Sequence, residues 1–208
     1  MFLKRDQIPE AELLTSAVTE AGNARAWGFA SLQGPLLVEM RRFQDPRGIF
    51  SETWSQRDFT SIGIEDRFVQ DNWSRSERVG TIRGLHFQRP PRGQAKLVRV
   101  LRGAILDVAV DMRRSSRTFG KHIAVELAEG DGRALYVPLG FAHGFCTLRP
   151  GTEVAYKVTD DYSPQHDGGI AWNDPALGID WPVLPQEAVL SDKDAKLPLL
   201  ADLPRIFA

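Results

Sequence analysis

The sequence predicts an all-β protein, an antiparallel sandwich or barrel built as one domain. Two observations predict it. From residue 36 to residue 158 the chain is a series of short β-like runs at regular spacing. Turn chemistry separates them, with Gly103, Gly130-Asp131-Gly132 and Pro150-Gly151 the clearest breaks.

The elements follow in order. Residues 1–30 read as an extension, helical or loose, ahead of a single domain at 31–208. Ile8, Ala11, Leu14 and Val18 recur at roughly helical spacing, Pro9 suits a first turn, and Gly22-Asn23 suits an end. Leu36–Met40 is the first expected strand. Residues 48–54 alternate with period two after a turn at Asp45-Pro46-Arg47, and residues 57–63 suit a short helix. Further strands are expected at 68–74, 80–88, 96–101, 104–111, 122–127, 134–137, 144–148 and 153–158. After Pro164 strand character is lost. Trp172-Asn173-Asp174-Pro175 and Asp180-Trp181-Pro182 read as surface turns, and Ser191 suits the cap of a short helix.

Composition narrows the function. The chain has 208 residues and a formal net charge of −1, so bulk charge draws it neither to nucleic acid nor to an anionic membrane. An anion site has to be a local cluster of Arg, Lys and His. One cysteine, Cys146, allows no intrachain disulfide, and no apolar run approaches a membrane span. The expected location is cytoplasmic.

The stretch Gly80-Thr81-Ile82-Arg83-Gly84-Leu85-His86-Phe87-Gln88, followed by Lys96-Leu97-Val98-Arg99-Val100, places polar groups in what otherwise reads as buried strand. Such groups are costly to bury unpartnered, so a pocket is expected there. Lys96 shares strand parity with Val98 and Val100 and should point inward. The spacing Gly80, five residues, His86, and then the spacing Gly132, Pro138, Gly140, His143 resemble the two motifs of the cupin family. That resemblance implies a jelly-roll barrel with a site in its mouth. The departures matter. Gln88 stands where a second histidine ligand would be, Lys96 where a glutamate would be, and Thr147 where an asparagine would be. A lysine ammonium has no lone pair and repels a divalent cation, so no catalytic metal is expected. A histidine base beside a cation suits proton abstraction next to a carbonyl. A donor aimed at the developing oxyanion contributes about 3 kcal/mol, and a positioned base roughly a hundred- to ten-thousandfold.

Longer stretches are more specific. Asp45-Pro46-Arg47-Gly48-Ile49-Phe50-Ser51-Glu52, Gln70-Asp71-Asn72, Arg83-Gly84-Leu85-His86-Phe87-Gln88, Lys96-Leu97-Val98-Arg99, Pro138-Leu139-Gly140-Phe141-Ala142-His143-Gly144-Phe145, Tyr156-Lys157 and Gly178-Ile179-Asp180-Trp181-Pro182 resemble the dTDP-4-dehydrorhamnose 3,5-epimerase family, from about residue 36 to residue 200. The resemblance implies epimerisation of a dTDP-4-keto-6-deoxyhexose without a cofactor. It implies His86 as the base at sugar carbons 3 and 5, Asp194 as its orienting carboxylate, Lys96 at the enolate oxygen and Tyr156 as the acid on the opposite face. Arg83, with His143 nearby, would hold the diphosphate, and Gln70 and Asn72 would line the nucleotide-sugar cleft. It also implies a homodimer with an exchanged N-terminal strand, in which Arg47, Phe50 and Glu52 serve the neighbouring subunit's nucleotide.

Two points stand against a simple transfer. Arg83 and His86 are three apart, so strict alternation puts them on opposite faces; a bulge or strong twist at Gly84 would bring them to one ligand. Asp161 stands where many members carry a rim tyrosine. The alternatives are inversion of a single centre, a 3,4-ketoisomerase on the same scaffold, or a non-catalytic nucleotide-sugar-binding cupin.

Overall fold

The computed structural model describes residues 13–29 and 33–207, with side chains from residue 19 onward. The strands are β1 (Leu13–Ala21), β2 (Ala24–Phe29), β3 (Leu36–Met40), β4 (Phe43–Asp45), β5 (Gly48–Phe50), β6 (Gln70–Ser76), β7 (Ile82–Gln88), β8 (Lys96–Arg102), β9 (Ala104–Asp111), β10 (His122–Ala128), β11 (Arg133–Val137), β12 (Phe141–Thr147), β13 (Thr152–Val158) and β14 (Asp167–Gly169). Among the described residues one α-helix, α1, spans Gln56–Ser61.

The strands form two facing antiparallel sheets, ordered β1-β2-β3-β11-β8-β13-β6 and β10-β9-β12-β7-β14, with β4-β5 a separate hairpin. Consecutive strands that switch sheets make this a jelly roll, the all-β fold expected. The alternation in the sequence sets the core. Val98 and Val100 of β8, Ile105 and Ala109 of β9, Phe145 of β12 and Val154 of β13 meet between the sheets. A second apolar cluster lies against the larger sheet, where α1 adds Phe59 to Val38, Leu97 and Tyr136. Phe59 is 1% exposed, a burial that contributes roughly 1.5–3 kcal/mol. Ser55 caps α1 by accepting the Asp58 N–H at 3.4 Å.

Three expectations change. The N-terminal helix is not formed over residues 13–21: that segment is β1, antiparallel to β2, and Gly22-Asn23 is the turn between them. Ile8, Pro9 and Ala11 lie outside the described residues. The period-two run at 48–54 is a strand only as far as Phe50. Strand character also returns after Pro164, where β14 pairs with β7.

Candidate active site

β7 supplies the centre of the site through a local irregularity. His143 of β12 pairs with His86, but Phe145 pairs with Arg83, so β7 spends three residues where β12 spends two. The extra residue is a bulge at Gly84, and it puts Arg83 and His86 on the same cavity. Gly84 has φ +134°, and a Cβ there would lie 2.6 Å from Gly144 Cα. The two glycines let β7 and β12 approach closely enough to hold the bulge.

The cavity has a volume of about 470 Å³. His86, Lys96, His143, Tyr156, Arg83 and Asp194 all line it. His86 Nε2 lies 2.7 Å from Asp194 Oδ1. With the Nε2 proton donated to the carboxylate, Nδ1 is the basic nitrogen. Asp194 Oδ2 accepts the Gly84 N–H at 3.2 Å, and the Asp194 N–H donates to Ser191 Oγ at 3.1 Å. Asp194 is 5% exposed. Burial opposes its charge, but hydrogen bonds from His86, Gly84 and Ser191 prevail and hold its pKa below the usual carboxylate range. The expected helix after Ser191 is a single 3₁₀ turn, Asp194–Lys196.

Lys96 points inward, as its parity requires, and its Nζ lies 3.4 Å from the His86 carbonyl oxygen. Burial lowers its pKa from 10.5 to about 8, against the pull of Asp107 and Asp167. Asp107 was not singled out from the sequence. It is fully buried on β9, and its Oδ1 lies 2.7 Å from His143 Nε2. Its Oδ2 has no hydrogen-bond partner. Burial lowers the pKa of His143, outweighing Asp107, so the imidazole is neutral at pH 7. Burial raises the pKa of Tyr156, against Arg83, so its phenol keeps its proton. Arg83 is held by Ser76 Oγ and the Arg75 carbonyl, each at 3.1 Å.

A second lobe of about 170 Å³ shares His86, Lys96, Tyr156 and Lys193 with the first and adds Gln70, Asn72, Gln88, Tyr162 and Asp167. Gln70 Nε2 donates to Asn72 Oδ1 at 2.8 Å, and Gln70 Oε1 accepts the Tyr162 N–H at 3.1 Å. Gln88, at the ligand position of the cupin motif, fastens the rim loop: it donates to the Arg92 and Asp161 carbonyls and accepts the Ser163 N–H. Asp161 itself is exposed, with its carboxylate 4.0 Å from Arg92. Among the described residues no group of three His, Cys, Asp or Glu side chains gathers as a metal site needs.

Arg47, Phe50 and Glu52 line neither lobe. Arg47 and Phe50 stand on the β4–β5 hairpin, where every residue from 41 to 50 is exposed. A larger cleft of about 530 Å³ runs between this hairpin and the β1–β2 turn, lined by Glu20, Arg25, Glu39 and Arg41 among others. It gathers none of the acid–base residues.

A jelly roll whose mouth holds a carboxylate-bound histidine, an inward lysine and a buried phenol belongs to the acid–base members of the cupins, suited to moving protons beside a carbonyl. The family model described as dTDP-4-dehydrorhamnose 3,5-epimerase matches residues 30–202. The dTDP-4-dehydrorhamnose 3,5-epimerase of Sinorhizobium fredii is 50% identical over 171 residues, 82% of this chain and 87% of the relative. A Bacillus anthracis enzyme of the same name, solved with TDP and PPi bound, is 47% identical with a TM-score of 0.81, covering 85% of this chain and 99% of that one. A Legionella pneumophila epimerase solved with dTDP-4-keto-L-rhamnose is 41% identical, also with a TM-score of 0.81, covering 87% and 95%. The chain belongs to the dTDP-4-dehydrorhamnose 3,5-epimerase family.

Proposed function

We propose that this chain epimerises dTDP-4-dehydro-6-deoxy-D-glucose at C3 and C5, giving dTDP-4-dehydro-L-rhamnose, without a cofactor. The observation that carries the reading is the convergence of His86, Lys96, Tyr156 and Asp194 on one cavity. His86 takes the C–H proton, first at one carbon and then at the other. Each flanks the C4 carbonyl, so the electron pair left behind enters the carbonyl as an enolate. Lys96 meets the enolate oxygen with its ammonium. Tyr156 returns a proton from the opposite face, which inverts the centre. Tyr156 then regains a proton from solvent, and His86 loses one to it, with Asp194 having held the imidazolium in the meantime. Arg83, at the exposed end, takes the diphosphate, with His143 buried behind it as a neutral imidazole. Gln70 and Asn72 face the substrate in the smaller lobe.

Arg47, Phe50 and Glu52 serve the cleft of a second copy in a homodimer. Their support is the hairpin itself: Phe50 and Ile49, at 69% and 62%, are the most exposed of the large apolar side chains among the described residues. Light scattering checks the mass in solution, and Arg47→Ala should raise KM in the dimer. The single cysteine accords with a cytoplasmic setting, and no helix among the described residues is long and apolar enough to cross a membrane.

The test is solvent exchange. Substrate incubated with the protein in deuterated water should gain deuterium at both C3 and C5, and His86→Asn should abolish the gain. Absence of deuterium at both carbons in the parent protein refutes epimerisation; exchange at one carbon alone makes it a single-centre epimerase.

A further inference from the structure

Asp194 is held by a stretch of chain that has little structure of its own. Upstream, the Val189 N–H donates to the Gly80 carbonyl at 2.9 Å and the Val189 carbonyl accepts the Ile82 N–H at 3.0 Å. Downstream, the Pro198 carbonyl accepts the Ala171 N–H at 2.8 Å. Between these anchors the only regular element is the 3₁₀ turn that begins at Asp194. The neighbouring side chain, Lys193, reaches across and pairs with the Asp167 carboxylate. Asp167 lies on β14 opposite Gln88, and Gly169, two residues on, lies opposite His86. The pair therefore joins the residue next to Asp194 to the strand that is zipped to the base itself.

This is not an ordinary surface ion pair. The Asp167 side chain is 15% exposed, against 52% for Lys193, and it also accepts the Tyr162 hydroxyl at 3.2 Å. Partial burial strengthens the attraction over that of a fully solvated pair. Lys193 also lines both lobes of the cavity. Tyr162 brings the rim loop into the same network.

We propose that Lys193 and Asp167 are positioning residues that act through Asp194: their pair clamps the Asp194 turn against β14 and keeps the carboxylate on His86. The proposal rests on the reading of His86 as the base. Small displacements of a catalytic partner are expensive in rate; a shift of about 1 Å is enough for roughly a hundredfold.

The experiment compares Lys193→Met, Lys193→Arg and Asp167→Asn with the parent and with Asp194→Asn. Steady-state kinetics and the NMR resonances of the His86 ring, which report its contact with Asp194, are measured on each. For Lys193→Met and Asp167→Asn, kcat should fall roughly ten- to a hundredfold with KM little changed. The NMR resonances of the His86 ring should move towards those of Asp194→Asn. Lys193→Arg should recover most of both. A KM that rises while kcat holds would overturn the proposal and make Lys193 a substrate contact. A fall in kcat with unmoved His86 ring resonances would overturn it as well. His86→Asn runs alongside: if that variant still turns over, the assignment of the base has failed, whatever Lys193 does.

Discussion

Raising the pH should switch the enzyme off through Lys96. Its pKa of about 8 leaves the ammonium ~90% populated at pH 7, about half near pH 8 and ~10% at pH 9. Only the ammonium stabilises the enolate, so kcat/KM should fall about tenfold for each pH unit above about 8. In kcat the same limb reports Lys96 in the substrate complex and should lie higher, because the bound substrate brings a negative diphosphate that favours the protonated form. Lys96→Met should lose about 3 kcal/mol of transition-state stabilisation, roughly a hundredfold in rate. Asp107→Asn should move the limb to lower pH, since Asp107 is the larger of the charges that hold Lys96 protonated. The stability effect has the opposite sense. Between about pH 8 and 10.5 the folded chain binds fewer protons at Lys96 than the unfolded chain, so stability rises with pH across that window. Below about pH 8 the whole penalty is present, about 3 kcal/mol at ~1.4 kcal/mol per pH unit. At pH 7 Lys96→Met should therefore unfold at higher denaturant than the parent while being nearly inactive. The assays are deuterium incorporation against pH and urea denaturation at pH 7. A kcat/KM that stays flat past about pH 10, or a Lys96→Met variant less stable than its parent, would refute the electrostatic account of this lysine.

Other outcomes test the remaining parts of the site. Tyr156→Phe removes only the proton donor on the far face, so exchange at His86 should persist while inverted product falls about a hundredfold; loss of exchange and product together would take Tyr156 out of the acid role. Gly84→Ala places a Cβ 2.6 Å from Gly144 Cα at a φ of +134°, and should cost about 3 kcal/mol in chemical denaturation; an unchanged midpoint would show that the bulge relaxes freely. Gln88→Ala frees the rim loop from its buried anchor and should cost about 2 kcal/mol, raising KM more than it lowers kcat; an unaltered KM would mean that the loop does not shape the cleft.

Part of the site was legible because strand parity is a strong constraint. Lys96 shares parity with Val98 and Val100, two and four residues on, which belong inside the barrel, whereas Tyr156 and Asp194 were signalled only by the family resemblance. The rotation that brings Arg83 beside His86 was signalled only by Gly84, since its cause is a contact between two strands distant in sequence. Asp107 was missed although its signal was present: it is the charged residue at an inward position, between Ile105 and Ala109, in an otherwise apolar run. The N-terminal segment was misread because Leu14 and Val18 fit a helical spacing, while the pairing of β1 with β2 comes from a partner strand that no local pattern encodes. β14 is three residues long, too short to show a period.

Asp107 also explains why a lysine can occupy this barrel at all. A buried ammonium with no counter-charge would lose its proton near neutral pH and could not serve an enolate. Asp107 divides its carboxylate: Oδ1 meets His143, and Oδ2 has no hydrogen-bond partner. Because burial keeps His143 neutral, the negative charge is not consumed by an imidazolium and remains for Lys96. Asp194 does the complementary task for His86, where a charged imidazolium must form and dissipate in every turnover. Two histidines that a metal cup would use alike are thus differentiated by their carboxylates. One is half open to the cavity and free to change charge. The other is sealed on the floor and fixed as neutral, and its partner's charge holds the ammonium in place.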